Sequence, residues 1–301
     1  MKIVVCIKQV IDLESRLRLD PKTDAIDESI IGYVANPRDL VAVEEALRIR
    51  AVSGEGTITV LTMGPPQTKN LLVNSLAMGA DEAIHLWDQS FEGSDNYVTS
   101  MILAKAIGLI GYDLILCGRQ AIDDNGQQVP ATIAQMLGLP FVSAVTDIDI
   151  LPSEKKAVTL RSLGKGDREI VECSLPALFS VEGGINRPRY ARIRSRLQAE
   201  KKEITTWGCD ALGLKPEEVG QSGSMVEVCS IAYPKPRAKK VAAPPPNLPP
   251  HLRLQWLMKG GGGQAEEKGS EFIEGSPQEI VSRVLKYLTD EKILSAGDQK
   301  K

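Results

Sequence analysis

Histidine, aromatic residues and paired cysteines are scarce in this chain of 301 residues. It contains two histidines, His85 and His251, and aromatic residues make up 4% of it. A histidine acid–base pair would have to join two poorly related segments, and a base-stacking surface needs more aromatic side chains. Its five cysteines form no CxxC pair, which argues against a zinc site or a disulfide framework. We therefore expect reduced, structural thiols, no metal site and no nucleic-acid partner.

Long hydrophobic runs and the common catalytic motifs are also missing. The apolar run before Lys8 has only five residues, which is shorter than a signal-peptide core or a membrane span. The sequence has no Walker A loop, no GxGxxG after a strand, no GxSxG elbow and no HExxH. Together with a formal net charge of −3, these absences predict a cytoplasmic protein without membrane insertion. The sequence also offers no candidate for a catalytic residue.

A regular alternation of apolar strands and helices is present. Residues 3–7 and 57–63 are apolar runs typical of strands buried on both faces of a parallel sheet, and residues 83–86 and 114–117 continue the series. A helical pattern follows each strand. The first three begin at residues 36, 64 and 96, and the fourth lies before Pro140. Right-handed crossovers between such units predict an α/β fold with a doubly wound parallel sheet.

The pattern changes after Pro140. Residues 143–181 alternate with period two and predict a small antiparallel extension. Residues 182–206 are rich in charge, with five arginines between Arg187 and Arg196. This charge pattern favours a solvated loop and helix, and a partner-docking element is the alternative.

The last quarter of the chain predicts a linker and a helix. Residues 231–275 are rich in proline and glycine, which is typical of an extended linker. Ser276 and Glu279 form the sequence signature of a capping box, which predicts a last helix within residues 276–301. Its apolar face needs a surface to cover it.

The segment of residues 114–140, LILCGRQAIDDNGQQVPATIAQMLGLP, is the strongest candidate for a binding site. Asp123 can accept a hydrogen bond from a ribose hydroxyl or an adenine amino group, and Gln127 and Gln128 offer donors and acceptors. The start of the next helix can hold a phosphate. This set suits an adenine nucleotide, but a well-capped helix start explains the same residues equally well, and both interpretations stay open. Asn36 likewise is either a helix cap or a ligand contact.

Several segments taken together resemble the beta subunit of electron transfer flavoproteins. They are VCIKQVID, ANPRDLVAVEEALRI, TMGPPQTKNLLVNSLAMGADEAIHL, CGRQAIDDNGQQV and LPALFSVEGGINRPRYARI. The likeness covers residues 1–230 and resumes over 274–294. It implies a Rossmann-like adenine-nucleotide-binding domain, a C-terminal arm that docks on a larger alpha subunit, and a redox-active FAD held by that partner.

The resemblance also implies a nucleotide pocket in this subunit, occupied by AMP or by a second FAD. The residues implied to line it are Cys6, Asn36, Met63, Asp123, Gln127, Gln128 and Val129. Residues 93–100 resemble the flavin-bifurcating members, which hold the second FAD. Asp124 and Pro130 depart from that pattern, and the Asp-Asp pair resembles the AMP-binding members, so both ligands stay open.

Residues 181–190 resemble the recognition loop through which the family docks acyl-CoA dehydrogenases. Ile185 stands at the position of the apolar anchor, and Arg187, Arg189 and Tyr190 belong to the same docking surface. Ser162 stands where many relatives have a glutamate that helps to govern the swing of the flavin domain, so the resemblance implies that this control is absent or altered here.

The function implied is that of an electron-carrier subunit rather than a stand-alone catalyst. It would carry electrons from acyl-CoA-type dehydrogenases to a membrane quinone reductase or a similar acceptor. The alternative within the family is a flavin-bifurcating subunit that oxidises NADH with a second FAD. The alternative of another class is a stand-alone ATP-binding enzyme or stress-type sensor of the same fold.

Overall fold

A computed structural model describes residues 1–15, 17–20, 26–233, 248–258 and 275–290. The chain divides into two units, Met1–Ala232 and Tyr233–Lys301. Nearly all of the first unit is described, and it contains the whole sheet. None of the described helices is both long enough and apolar enough to cross a membrane.

The first unit is built on a nine-stranded, mostly parallel sheet. The strands, in chain order, are β1 Lys2–Cys6, β2 Gln9–Ile11, β3 Tyr33–Ala35, β4 Thr57–Met63, β5 Glu82–Leu86, β6 Leu114–Gly118, β7 Phe141–Leu151, β8 Lys156–Gly164, β9 Asp167–Ser174, β10 Ala177–Val181 and β11 Thr205–Trp207. Their order across the sheet is β11-β5-β4-β1-β6-β10-β7-β8-β9, and β2 pairs separately with β3. The strand order reverses between β1 and β6, which makes this the switch point of the sheet.

Helices pack on both faces of the sheet. Those of the first unit are α1 Pro37–Ser53, α2 Lys69–Met78, α3 Asn96–Ile110, α4 Val129–Leu137, α5 Ile193–Ala199, α6 Cys209–Leu212 and α7 Gly220–Gly223. Side chains alternate along β1, so that Ile3 and Val5 pack with α1 and α2. Val4 and Cys6 pack with α3 and α4 on the opposite face. The predicted doubly wound α/β fold is confirmed, and burial on both faces explains why β1 is apolar almost throughout.

The strands after α4 correct one part of the sequence interpretation. β7, β8 and β9 pair antiparallel, as predicted for the extension. β10, however, pairs parallel to β6 on one side and to β7 on the other, so its assignment to the antiparallel extension was wrong. All five of its residues are buried, because β10 lies inside the main sheet. Its continuous apolar run, ALFSV, is the pattern of a strand covered on both faces.

The second unit contains two described helices, α8 Pro250–Met258 and α9 Pro277–Asp290. The predicted capping box of α9 is confirmed, since the Ser276 backbone N–H donates to Glu279 Oε2 at 2.9 Å and the Glu279 backbone N–H donates to Ser276 Oγ at 3.4 Å. α9 has exposed apolar residues, Val281, Val284, Leu285 and Tyr287. α8 lies within the segment that the sequence predicts as a linker.

Candidate functional site

A cavity of about 500 Å³ opens at the carboxyl ends of β1, β4 and β6. Its walls come from the residues that follow β1, β4, β5 and β6 and from the starts of α1, α3 and α4. The cavity therefore lies at the switch point, where open α/β sheets bind their ligands. Its volume is in the range of small-molecule sites. Six of the seven residues implied to form the pocket line it, namely Cys6, Asn36, Met63, Gln127, Gln128 and Val129.

Asn36 lines the cavity and carries a buried acceptor that is unpaired. Its side chain is 1% exposed, and Nδ2 donates to the Gln120 carbonyl at 3.0 Å. Oδ1 has no hydrogen-bond partner among the described residues, and the side chain makes no cap bond to α1. A buried acceptor left unpaired costs roughly 1–3 kcal/mol, which a donor on a ligand would recover. The helix-cap interpretation of Asn36 is therefore wrong, and the ligand contact stays a prediction.

Asp39, in the first turn of α1, is a cavity residue that the sequence analysis did not single out. Its carboxylate accepts from the backbone N–H of Lys8 at 2.8 Å and from that of Gly118 at 3.1 Å. Burial raises its pKa to about 7, against the opposing effect of hydrogen bonds from Lys8, Asn36 and Gly118. A clue in the sequence is its place three residues after Asn36, on the helix that begins beside β1.

Asp123 lies at the margin of the site rather than in the cavity wall. Lys8 Nζ lies 2.9 Å from its Oδ2 and 3.4 Å from Asp124 Oδ2. The backbone N–H of Asp124 also donates to Asp123, at 2.8 Å. Asp124 lines the cavity, and the predicted contact from Asp123 to a ribose or adenine would have to compete with Lys8.

The loop between β6 and α4 is held by its own glutamines. Gln127 Nε2 donates to Gln120 Oε1 at 2.6 Å, and Gln120 Nε2 donates to Asn125 Oδ1 at 2.7 Å. Asn125 and Gln127 have positive φ angles of 52° and 56°, which L-residues adopt at a cost. Gln128, at the N-cap position of α4, makes no side-chain cap bond. The well-capped helix start is therefore wrong, because the side chain of Gln128 accepts no hydrogen bond from the first turn of α4.

Cys6 and Cys117 are neighbours in register on β1 and β6, and both line the cavity. Hydrogen bonding to Cys6 and burial raise the pKa of the Cys117 thiol well above its usual range. Cys117 is therefore protonated at neutral pH and gives the cavity a neutral, weakly polar surface. All five cysteines are free thiols.

The recognition-loop residues differ in their exposure and contacts, and their role in docking stays a prediction. Ile185 is half-buried and packs against the protein's own core. Arg187 and Arg189 are both exposed, and Arg189 forms an ion pair with Glu44. Tyr190 is 98% exposed.

Two apolar residues of α5 extend this exposed surface. Ile193 and Leu197 are 81% and 56% exposed and lie four residues apart, on one face of α5. Neither residue was predicted from the sequence, although their spacing was a readable signal. We call Tyr190, Ile193 and Leu197 the exposed apolar surface.

Comparison with known proteins is consistent with this geometry. Residues 23–212 match the model of the electron transfer flavoprotein domain family. Subunit CarD of the caffeyl-CoA reductase-Etf complex of Acetobacterium woodii is 40% identical over 229 residues, which are 76% of this chain and 86% of that protein.

Two further relatives extend the comparison. The electron transfer flavoprotein subunit beta of Thermoanaerobacterium thermosaccharolyticum is 40% identical over 78% of this chain and 88% of its own length. Protein FixA of Azotobacter vinelandii is 37% identical over 80% of this chain and 86% of its own length. With this similarity spread over most of its length, the chain belongs to the electron transfer flavoprotein beta-subunit family.

Proposed function

We propose that this chain is an electron-transfer subunit that buries an adenine nucleotide in the cavity between β1, β4 and β6. The observation that carries the proposal is the unpaired Oδ1 of Asn36, which is buried in the cavity wall. An acceptor in this position suits the amino group of an adenine or a ribose hydroxyl. The uncapped first turn of α4 offers N–H groups and the positive end of the helix dipole to a phosphate.

The proposed partner is a larger alpha subunit that holds the redox-active FAD. FAD accepts and donates electrons, whereas the residues of this chain bind, orient and dock. The apolar residues of α9 would be covered by that partner. The five free thiols suit a reducing compartment such as the cytoplasm.

The proposed electron donor is an acyl-CoA-type dehydrogenase, and a membrane quinone reductase or similar protein is the acceptor. The exposed apolar surface suits the donor, because aromatic and aliphatic anchors dominate the energetics of such interfaces. Ile185, which packs inward, would instead hold the recognition loop in shape.

A substitution at Asn36 tests the nucleotide site. Asn36→Leu removes the unpaired acceptor, and we expect the purified complex to retain less adenine nucleotide than the wild type. Asn74→Leu alters an amide on α2 that is not among the cavity-lining residues, and it should leave the content unchanged. Equal retention by Asn36→Leu and the wild type would contradict the proposal.

The second candidate is a second FAD in this cavity, with oxidation of NADH and bifurcation of its electrons. Ser94, Asn96 and Thr99, from the segment that resembles the bifurcating members, line the cavity and favour it. Asp124 and Pro130, which depart from that pattern, line the same cavity. Flavin absorbance decides: about two flavins per heterodimer support this candidate, and about one excludes it.

A further inference from the structure

His85 is a buried titratable residue that lies behind one wall of the cavity. It belongs to β5 and is 0% exposed. Its ring reaches the turn between β4 and α2, because Nε2 lies 2.8 Å from the Gly64 carbonyl oxygen and 3.1 Å from Thr68 Oγ1. Met63, Gly64 and Pro65, at the start of this turn, line the cavity. The histidine therefore supports this part of the wall from the side of the protein interior.

The hydrogen-bond partners of the His85 ring fix its tautomer. A carbonyl oxygen can only accept, so Nε2 carries the proton and donates it to Gly64. Nδ1 is then an acceptor, and Thr206 Oγ1 lies 3.5 Å from it. Burial lowers the pKa of His85 and the positive charge of Lys69 adds to this effect, against hydrogen bonds that raise the pKa. The ring is therefore neutral at neutral pH, and its N–H points at the turn.

The turn that His85 contacts is closely fitted. The Pro65 carbonyl accepts from Thr68 twice, from the hydroxyl at 2.7 Å and from the backbone N–H at 2.9 Å. Because its hydroxyl proton goes to Pro65, Thr68 Oγ1 can only accept from His85. A Cβ atom added at Gly64, where φ is 153°, would lie 2.8 Å from Thr68 Cγ2. Removal of the Nε2–H would therefore take a donor from both Gly64 and Thr68 and leave the turn less firmly held.

We propose that His85 is a positioning residue of the nucleotide site, whose Nε2–H holds the wall formed by residues 63–65 in the arrangement that binds the ligand. Loss of this donor lowers the fraction of the protein in the binding-competent arrangement, and the apparent Kd rises by the same factor. His85 acts through the wall and does not touch the ligand. This inference rests on the proposed nucleotide function and adds to it the residue that holds one wall of the site.

A pair of substitutions at His85 tests the donor. Glutamine carries an amide nitrogen at about the reach of Nε2, whereas leucine is similar in size and has no donor. AMP is the probe, titrated by calorimetry into the full complex after its bound nucleotide has been removed. His85→Leu should bind AMP about tenfold more weakly than the wild type, because the hydrogen bond that holds the wall is lost. His85→Gln should stay within about threefold of the wild type, because it keeps the donor.

A second pair, Thr68→Val and Thr68→Ser, tests the same turn and stands in if His85→Leu does not fold. Valine removes the hydroxyl that joins His85 to Pro65, so AMP binding should weaken severalfold. Serine keeps the hydroxyl, and its affinity for AMP should match that of the wild type.

Ser75→Ala is the matched control for a general loss of stability. It removes a buried hydrogen bond within α2, from Ser75 Oγ to the Leu71 carbonyl at 2.9 Å, and Ser75 is not among the cavity-lining residues. Its melting temperature should fall while its affinity for AMP stays that of the wild type.

Equal affinities of His85→Leu and His85→Gln for AMP would overturn the inference, and so would equal affinities of the two Thr68 variants. A loss of affinity in Ser75→Ala as large as that in His85→Leu would also overturn it, because the effect would then follow stability alone. A wild-type complex that binds no AMP would instead contradict the proposed function.

Discussion

Arg189 forms a bidentate ion pair with Glu44 through two guanidinium nitrogens. Nε lies 2.8 Å from Glu44 Oε2 and Nη2 lies 2.8 Å from Oε1, while the Arg189 backbone N–H also donates to Oε2 at 3.1 Å. Burial raises the pKa of Glu44, but the hydrogen bonds and charge of Arg189 outweigh it and hold that pKa below its usual value. The recognition loop is thus fastened to α1 within this chain.

Removing Arg189 should destabilise the protein. Arg189→Ala leaves the carboxylate of Glu44, which is 6% exposed, without its main partner, and we expect a loss of about 2 kcal/mol. Arg187→Ala, at an exposed position of the same loop, should stay within about 0.5 kcal/mol of the wild type. Urea unfolding measures both. Equal effects of the two substitutions would contradict the role of the pair.

The pH dependence of stability should reveal the titration of the Asp39 carboxyl group. Its pKa is raised from 3.8 to about 7, so the folded protein holds a proton that the unfolded chain has released. The contribution of this proton to the free energy of unfolding is fully present below pH 3.8 and is lost as the pH rises through about 7. The difference corresponds to on the order of 4 kcal/mol.

Comparison with Asp39→Asn isolates this contribution, because the other titrating groups are common to both proteins. The stability of the wild type relative to the variant should fall between about pH 4 and pH 7. Unfolding curves across this range provide the measurement. A constant difference would show that Asp39 does not titrate there.

Docking should depend on α5 more than on Ile185. Ile193→Ser changes a residue that is 81% exposed, so stability should hardly change while reduction by the dehydrogenase slows. Ile185→Ser should cost about 1–2 kcal/mol of stability, because the side chain packs against the core. The rate of reduction, measured by stopped flow at limiting concentrations of the complex, reports the effect on docking. Thermal unfolding reports the effect on stability. Unchanged reduction of Ile193→Ser would contradict docking at this surface.

The sequence predicts the central sheet well because its strands are continuous apolar runs. Residues 57–63 coincide with β4, and residues 114–117 fall one residue short of the end of β6. For these strands the local hydrophobic pattern was sufficient to predict their bounds. For β10 the same kind of run was grouped with the period-two strands before it, and only its parallel pairing with β6 and β7 reveals its place.

Site residues that depend on distant contacts were harder to predict. Asp39 looks like an ordinary acidic residue in a first helical turn, and its burial follows from contacts 31 and 79 residues away. Ile185 lies in a loop whose sequence does not tell which way the side chain points. Asn36, by contrast, was singled out from its place before a helix and again through the family resemblance, and the structure adds that its acceptor is unpaired.

The central claim is that this chain itself holds an adenine nucleotide. Acid extraction of the purified heterodimer, followed by chromatographic quantification of adenine and flavin, tests it directly. We predict about two adenine groups per heterodimer, one from the FAD of the partner and one from the cavity described above, whether as AMP or as a second FAD. An adenine content equal to that of a single FAD would contradict the account.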